Sequence, residues 1–140
     1  MKPPPVRYER ADSVEGALQF LASSGDSAKV LAGGQSLVAL LNLRLARPEV
    51  LLDIWPLGEL REYGRSDGRL KIGALTTQRA LERDDAIHES CPLLAEAIPY
   101  VGHVAIRNRG TIGGTIAHAD PAAEVPVVLA ALDGSVTLRS

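Results

Sequence analysis

A short apolar run ends in two glycines and a serine, and a helix can begin directly after them: Lys29-Val30-Leu31-Ala32-Gly33-Gly34-Gln35-Ser36-Leu37. The apolar run predicts a buried strand over residues 29–32 that enters a tight turn. Glycine permits positive φ and lets a ligand approach the backbone. Successive N–H groups in such a turn form a nest for a phosphate oxygen, to which the Ser36 hydroxyl and a helix start at Leu37 contribute. The turn is therefore a candidate anion site.

A second glycine pair lies in the run Arg107-Asn108-Arg109-Gly110-Thr111-Ile112-Gly113-Gly114-Thr115-Ile116. The run lacks helical periodicity and predicts a turn-rich loop between short extended pieces. Thr111 and Thr115 flank the glycines, so the segment has the residue types of a second nest. Two nests suit a pyrophosphate held from both sides. Each pair is also explained as a tight turn alone, because glycine is the default turn residue.

Helical spacing, turn residues and caps predict the elements around these two segments. Helices are expected over 13–24, 37–45, 78–84 and 122–132, with a further helix starting at Pro92. The first helix would begin with a capping box opened by Asp12 and stop at Gly25. Strands are expected over 50–54 and 135–138, and Asp67-Gly68 predicts a hairpin between 63–66 and 69–72.

Two other phosphate-binding motifs fit the chain poorly. Asp53 follows the first glycine pair by about the spacing of a ribose-binding acid in a dinucleotide fold, but the turn is not G-x-G-x-x-G. A Walker loop is excluded, because no Gly-Lys-Ser/Thr follows either turn.

Composition narrows the class of protein. The chain has 140 residues, 46% hydrophobic and 23% charged, which is typical of a globular domain rather than a disordered tail. Fifteen Lys and Arg against 17 Asp and Glu show no basic footprint for nucleic acid. No apolar run approaches a membrane span and the start lacks a secretory h-region, so we expect a cytoplasmic protein. A lone Cys91 excludes an internal disulfide and a cysteine-held cluster within these residues.

Four motifs in order resemble the FAD-binding medium subunit of molybdenum hydroxylases, the group that contains carbon monoxide dehydrogenase and xanthine dehydrogenase. They are Ala32 to Leu37, Pro48 to Asp53, Ile72-Gly73-Ala74-Leu75-Thr76-Thr77, and Arg107 to Gly114. The resemblance implies an α+β, FAD-binding fold of the vanillyl-alcohol-oxidase and para-cresol-methylhydroxylase type. It places a small β/α subdomain at 1–55 and the start of a larger α+β subdomain at 56–140. Such subunits are about twice this length, so we expect the fold here to be truncated, an N-terminal portion.

The resemblance also implies the cofactor residues. Both glycine segments would grip the FAD pyrophosphate, and an acidic residue further on would hold the FAD sugar region. Carried over, these are Ala32, Gly33, Gly34, Gln35, Ser36, Leu37, Thr111, Ile112, Gly113, Gly114, Thr115 and Glu124. No catalytic acid or base and no metal ligand is implied in this chain, because the flavin carries the redox step.

The implied activity is that of an oxidoreductase subunit. Electrons would pass from a molybdenum cofactor in a large subunit, through two [2Fe–2S] clusters in a small one, to FAD and then to an acceptor. The subunits would form a dimer of heterotrimers. Two alternatives stay open: a truncated remnant that binds no flavin and has only an assembly role, and another flavin reductase of the same fold.

Other polar residues carry weaker hypotheses. His103, His118 and Asp120 match no standard zinc spacing, and His118 with Asp120 fits either a polar contact to the flavin or an Asx turn before Pro121. Arg107 and Arg109 would offset pyrophosphate charge, face solvent or pair with a partner's acids. Cys91 is expected to be a small, partly buried apolar residue.

Overall fold

The computed structural model describes residues 2–140, which divide into two compact units. One unit runs to Gly58 and includes Leu138–Ser140, and the other is Glu59–Thr137.

The first unit is built on a three-stranded parallel sheet in the order β1-β3-β2. Its elements are β1 (Arg7–Arg10), α1 (Val14–Ser24), β2 (Ala28–Leu31), α2 (Leu37–Asn42) and β3 (Val50–Asp53), with a 3₁₀ turn at Gly25–Ser27. Parallel neighbours require crossover connections, which the two helices supply. Val50, Leu51 and Leu52 of the central strand are buried, as expected for a strand paired on both sides.

Three predictions for this unit need correction. The strand before the first glycine pair lies at the sheet edge, and its Lys29 and Val30 are exposed rather than buried. The cap of α1 is Ser13, whose side chain accepts from the Gly16 N–H at 3.0 Å, and not Asp12. The stop at Gly25 is confirmed, with φ +53° at the C-cap. The helix expected over 37–45 ends earlier, at Asn42.

The second unit consists of a hairpin and short helices. The hairpin pairs β4 (Tyr63–Ser66) with β5 (Arg69–Ile72), as Asp67-Gly68 predicts. The helices are α3 (Gln78–Glu82), α4 (Asp85–Ser90), α5 (Pro92–Ala97), α6 (Val104–Arg107), α7 (Ile112–His118) and α8 (Glu124–Ala131). Further 3₁₀ turns occur at Gly58–Arg61 and Ile98–Tyr100. Pro92 begins α5 as predicted, whereas α4 was not anticipated.

Apolar side chains from five of these helices and one 3₁₀ turn form the core of the second unit. They are Leu81, Ile87, Leu94, Ile98, Ile112, Val125 and Val128. Partly buried residues of the hairpin, Tyr63, Leu70 and Ile72, pack against this cluster, as does Cys91. The half-buried Cys91 is therefore an apolar contact residue, as expected.

Two predicted segments differ in the structure. Residues 112–118 form a helix, not a turn-rich loop, because Ile112 is buried in the core and Ile116 packs beside it at i+4. Residues 135–138 form no strand, since they have no paired backbone within residues 2–140, and Leu138 is 86% exposed.

Candidate functional site

The first glycine pair forms a turn between β2 and α2. Gly34 has φ +75°, a left-handed conformation that a side chain would strain. A Cβ on Gly34 would also lie 3.3 Å from Leu31 Cδ1 and from Val38 Cγ2. The turn therefore needs glycine at residue 34 for both its backbone angle and its space.

Backbone N–H groups along this turn are not used by the fold of residues 2–140, although Gly33 itself is buried. Within the part of the chain that the structure describes, the N–H groups of residues 33–36 have no hydrogen-bond partner. Gln35 Nε2 donates to the Gly33 carbonyl at 3.1 Å, and Ser36 makes no side-chain cap. Gln35 and Ser36 are exposed. Four successive unpartnered donors fit the requirements of an anion nest.

The second glycine pair lies inside the first turn of α7. Thr111 is the N-cap, and its Oγ1 accepts from the Gly114 N–H at 3.0 Å. Thr111 also forms an isolated antiparallel bridge with Thr77, which caps α3 by accepting from the Ala80 N–H. The two helices thus begin from one shared bridge.

The backbone donors of this segment are already used inside the unit. Ile112 donates to the Thr76 carbonyl at 3.0 Å and Gly113 to the Ala74 carbonyl at 2.9 Å. Gly114 donates to Thr111 Oγ1, and Thr115 donates to the Thr111 carbonyl at 3.0 Å. The prediction of a second backbone nest is therefore wrong, because these four N–H groups are not free to bind a phosphate.

Three other polar residues predicted from the sequence, Glu124, Asp120 and His118, lie at helix ends or in a turn. Glu124 is the first residue of α8 and is half-buried. Asp120 forms the Asx turn, with Oδ1 accepting from the Ala122 N–H at 2.9 Å. His118 lies in the last turn of α7.

Arg107 forms a buried ion pair that local sequence did not reveal. Its Nε and Nη2 donate to the two carboxylate oxygens of Glu82 at 2.9 and 2.8 Å. Its Nη1 donates to the carbonyls of Pro99, Val101 and Gly102. The expectations of a solvated or pyrophosphate-facing Arg107 are therefore wrong. The Arg107 guanidinium, then the nearby Arg79, lowers the pKa of Glu82 to about 2 against the opposing effect of burial.

Asp53, the candidate ribose ligand of the dinucleotide alternative, is also engaged within its unit. Its Oδ2 accepts from the Tyr8 hydroxyl at 2.5 Å, and its Oδ1 accepts from the Trp55 N–H at 2.8 Å. This hydrogen bond to Asp53 is also the main cause that raises the pKa of Tyr8. The carboxylate fixes the end of β3.

Residues 2–140 provide neither a metal-binding cluster nor a membrane-spanning helix. Neither His103, His118 and Asp120 nor any other group of three or more His, Cys, Asp or Glu side chains is placed to hold a metal ion. None of the helices in these residues is long and apolar enough to cross a membrane.

Comparison with known proteins assigns the family. Residues 4–140 match the family described as FAD binding domain in molybdopterin dehydrogenase. The chain is 54% identical over 140 residues to the 6-hydroxypseudooxynicotine dehydrogenase complex subunit alpha of Paenarthrobacter nicotinovorans, covering all of this chain and 47% of that protein. It is 43% identical over 140 residues to the glyceraldehyde dehydrogenase medium chain of Sulfolobus acidocaldarius, covering all of this chain and 50% of that one.

Solved structures agree with the sequence match. The crystal structure of quinoline 2-oxidoreductase from Pseudomonas putida 86 superposes with a TM-score of 0.90 at 40% identity, over 94% of this chain and 46% of that one. The chain spans about half the length of the relatives it matches. The resemblance drawn from the four motifs is confirmed: the chain belongs to the FAD-binding domains of molybdopterin dehydrogenases, with the mixed helix-and-sheet fold of that family and FAD as its cofactor.

Proposed function

We propose that this chain forms part of the flavoprotein subunit of a molybdenum-dependent dehydrogenase and binds FAD with the turn at residues 33–36. The observation that carries the proposal is the row of four unpartnered N–H groups at residues 33–36, in a turn that requires glycine at residue 34. Such a row suits the two phosphates of FAD, and the match to a family of FAD-binding domains supplies the cofactor's identity.

Ala32 and Leu37 flank these donors and complete the first cofactor segment. In the second unit, Thr111, Ile112, Gly113, Gly114, Thr115 and Glu124 stay proposed as cofactor-contacting residues. Because the N–H groups of residues 112–115 are used internally, this segment would contact the flavin through side chains and carbonyl groups rather than as a nest. The fold that we propose for the whole subunit is the vanillyl-alcohol-oxidase and para-cresol-methylhydroxylase type.

FAD would supply the redox chemistry, accepting electrons from [2Fe–2S] clusters of a small partner subunit and passing them to an acceptor. A large subunit with the molybdenum cofactor would oxidise the substrate, within a dimer of heterotrimers. The relatives' names support an assembly, since one is a complex subunit alpha and another a medium chain. This chain's residues would bind and orient the flavin.

A titration of the purified chain with FAD, followed by flavin fluorescence, tests the proposal. ADP and adenosine serve as matched competitors, because only ADP carries the two phosphates that the turn would bind. We expect saturable FAD binding that ADP displaces and adenosine displaces poorly. Absence of FAD binding would contradict the proposal, and equal competition by ADP and adenosine would remove the phosphate role of the turn.

A further inference from the structure

Gln78 is a buried polar residue that no motif singled out. It opens α3 directly after the Thr77 cap and is 2% exposed. Its backbone N–H donates to the Gly110 carbonyl at 2.9 Å, and its side-chain Nε2 donates to Thr115 Oγ1 at 2.9 Å. Gln78 thus contacts the segment at both ends, at Gly110 and at Thr115.

The Gln78 amide determines what the Thr115 hydroxyl offers a ligand. The hydroxyl has one proton, and it donates that proton to the Thr111 carbonyl at 3.1 Å. It accepts from Gln78 Nε2, so a ligand meets only its remaining acceptor capacity. Thr115 in this arrangement would bind a donor group and would not donate to a phosphate oxygen.

Gly110 leaves the space that the amide occupies. A Cβ on Gly110 would lie 2.6 Å from Gln78 Oε1, closer than a Cβ atom approaches another heavy atom. That Oε1 is buried and has no hydrogen-bond partner among the described residues. An unsatisfied buried acceptor destabilises the folded state, so overall stability alone does not account for a glutamine here.

We propose that Gln78 is a positioning residue for the FAD segment, which fixes the first turn of α7 and keeps the Thr115 hydroxyl as an acceptor. The inference rests on the proposed function, because Thr115 is a proposed cofactor residue. It goes beyond that function in naming the residue that orients Thr115 from outside the segment.

The test compares Gln78→Met with Thr115→Val, which remove the donor and the acceptor with little change in size. Thr115→Ser keeps the hydroxyl, and Gln19→Met makes the same change at an exposed position of α1. Loss of one hydrogen bond of about 1 kcal/mol corresponds to about a fivefold change in an equilibrium constant.

We expect Gln78→Met and Thr115→Val each to weaken FAD binding about three- to tenfold, with the double variant no worse than either single one. Amide hydrogen exchange over residues 112–118 should accelerate in both, while the thermal midpoint of Gln78→Met moves little, since an unsatisfied acceptor is removed as well. Thr115→Ser should keep more FAD affinity than Thr115→Val, because it retains the hydroxyl, and Gln19→Met should behave as wild type.

Unchanged FAD affinity in Gln78→Met, or additive losses in the double variant, would overturn the inference while leaving the proposed function intact. If wild-type protein binds no FAD, the proposed function fails instead. Exchange over residues 112–118 then decides the inference: local acceleration in Gln78→Met supports the positioning of α7, and unchanged exchange overturns it.

Discussion

Gly113 and Ala74 bring two backbone segments of the second unit into direct contact. The Gly113 N–H donates to the Ala74 carbonyl at 2.9 Å, and a Cβ on Gly113 would lie 2.6 Å from Ala74 Cβ. The contact explains why glycine occurs at this helical position despite its low helix propensity. The motif glycine is thus required for packing, independently of any ligand.

Gly113→Ala should destabilise the second unit by about 1–3 kcal/mol, because the added methyl meets Ala74 backbone and side chain at once. An alanine in a helix would otherwise be stabilising by up to about 1 kcal/mol. Urea unfolding followed by circular dichroism measures the change. Gly64→Ala is the control, since a Cβ there meets nothing within 4 Å. Equal midpoints for the two variants would show that the close contact carries no energetic weight.

The cap of α7 gives a second prediction. Thr111→Val keeps the shape of the side chain but removes the acceptor for the Gly114 N–H, so unfolding should become easier by about 1 kcal/mol. Thr111→Ser retains the hydroxyl and should keep most of that stability. If the two variants unfold at the same urea concentration, the cap is not a stabilising interaction.

The Glu82–Arg107 pair predicts the acid sensitivity of the fold. The pKa of Glu82 is lowered in the folded protein from its usual 4.5 to about 2, so the unfolded chain takes up the proton first as pH falls. The stabilisation is therefore fully present above about pH 4.5 and is lost progressively toward pH 2. Urea midpoints measured between pH 6 and pH 2 should show this loss in wild type and a flatter profile in Glu82→Gln. Profiles of equal slope would remove Glu82 as a source of the acid sensitivity.

Arg107→Met should lower the urea midpoint at pH 7 further than Arg83→Met, because it leaves Glu82 with Arg79 as its remaining side-chain donor and removes the donor to three carbonyl groups. Glu82 and Arg107 both lie in the second unit, so the loss of stability should come from that unit. Addition of 1 M salt should change the difference little, since both side chains of the pair are mostly buried. A midpoint like that of Arg83→Met would contradict a stabilising role for the pair.

Local signals predicted those parts of the structure that depend on neighbouring residues. Asp67-Gly68 specifies a hairpin, Pro92 a helix start, and Gly25 a helix end, and each of these predictions is confirmed. The family could also be identified from the sequence, because its four motifs occur in order along the chain. These features need no knowledge of contacts between distant segments.

The errors arise where distant contacts decide the conformation. Gly113-Gly114 has the composition of a turn, but burial of Ile112 and the Thr111 cap make the segment helical. The Gln78–Thr115 contact spans 37 residues and the Arg107–Glu82 contact spans 25, so no local pattern indicated either. The edge position of β2 follows from strand order, which periodicity does not encode.

The most direct test of FAD binding by the first glycine turn compares equilibrium FAD titrations of wild type, Gly34→Ala and Gly25→Ala. Both glycines have positive φ, so alanine is strained at either position, but only Gly34 lies in the turn with unpartnered N–H groups. We predict that wild type and Gly25→Ala bind FAD with equal affinity. Gly34→Ala should bind FAD about tenfold or more weakly, because strain at residue 34 disfavours the turn conformation that holds the N–H groups together. No FAD binding by wild type, or the same affinity in all three proteins, would contradict the account.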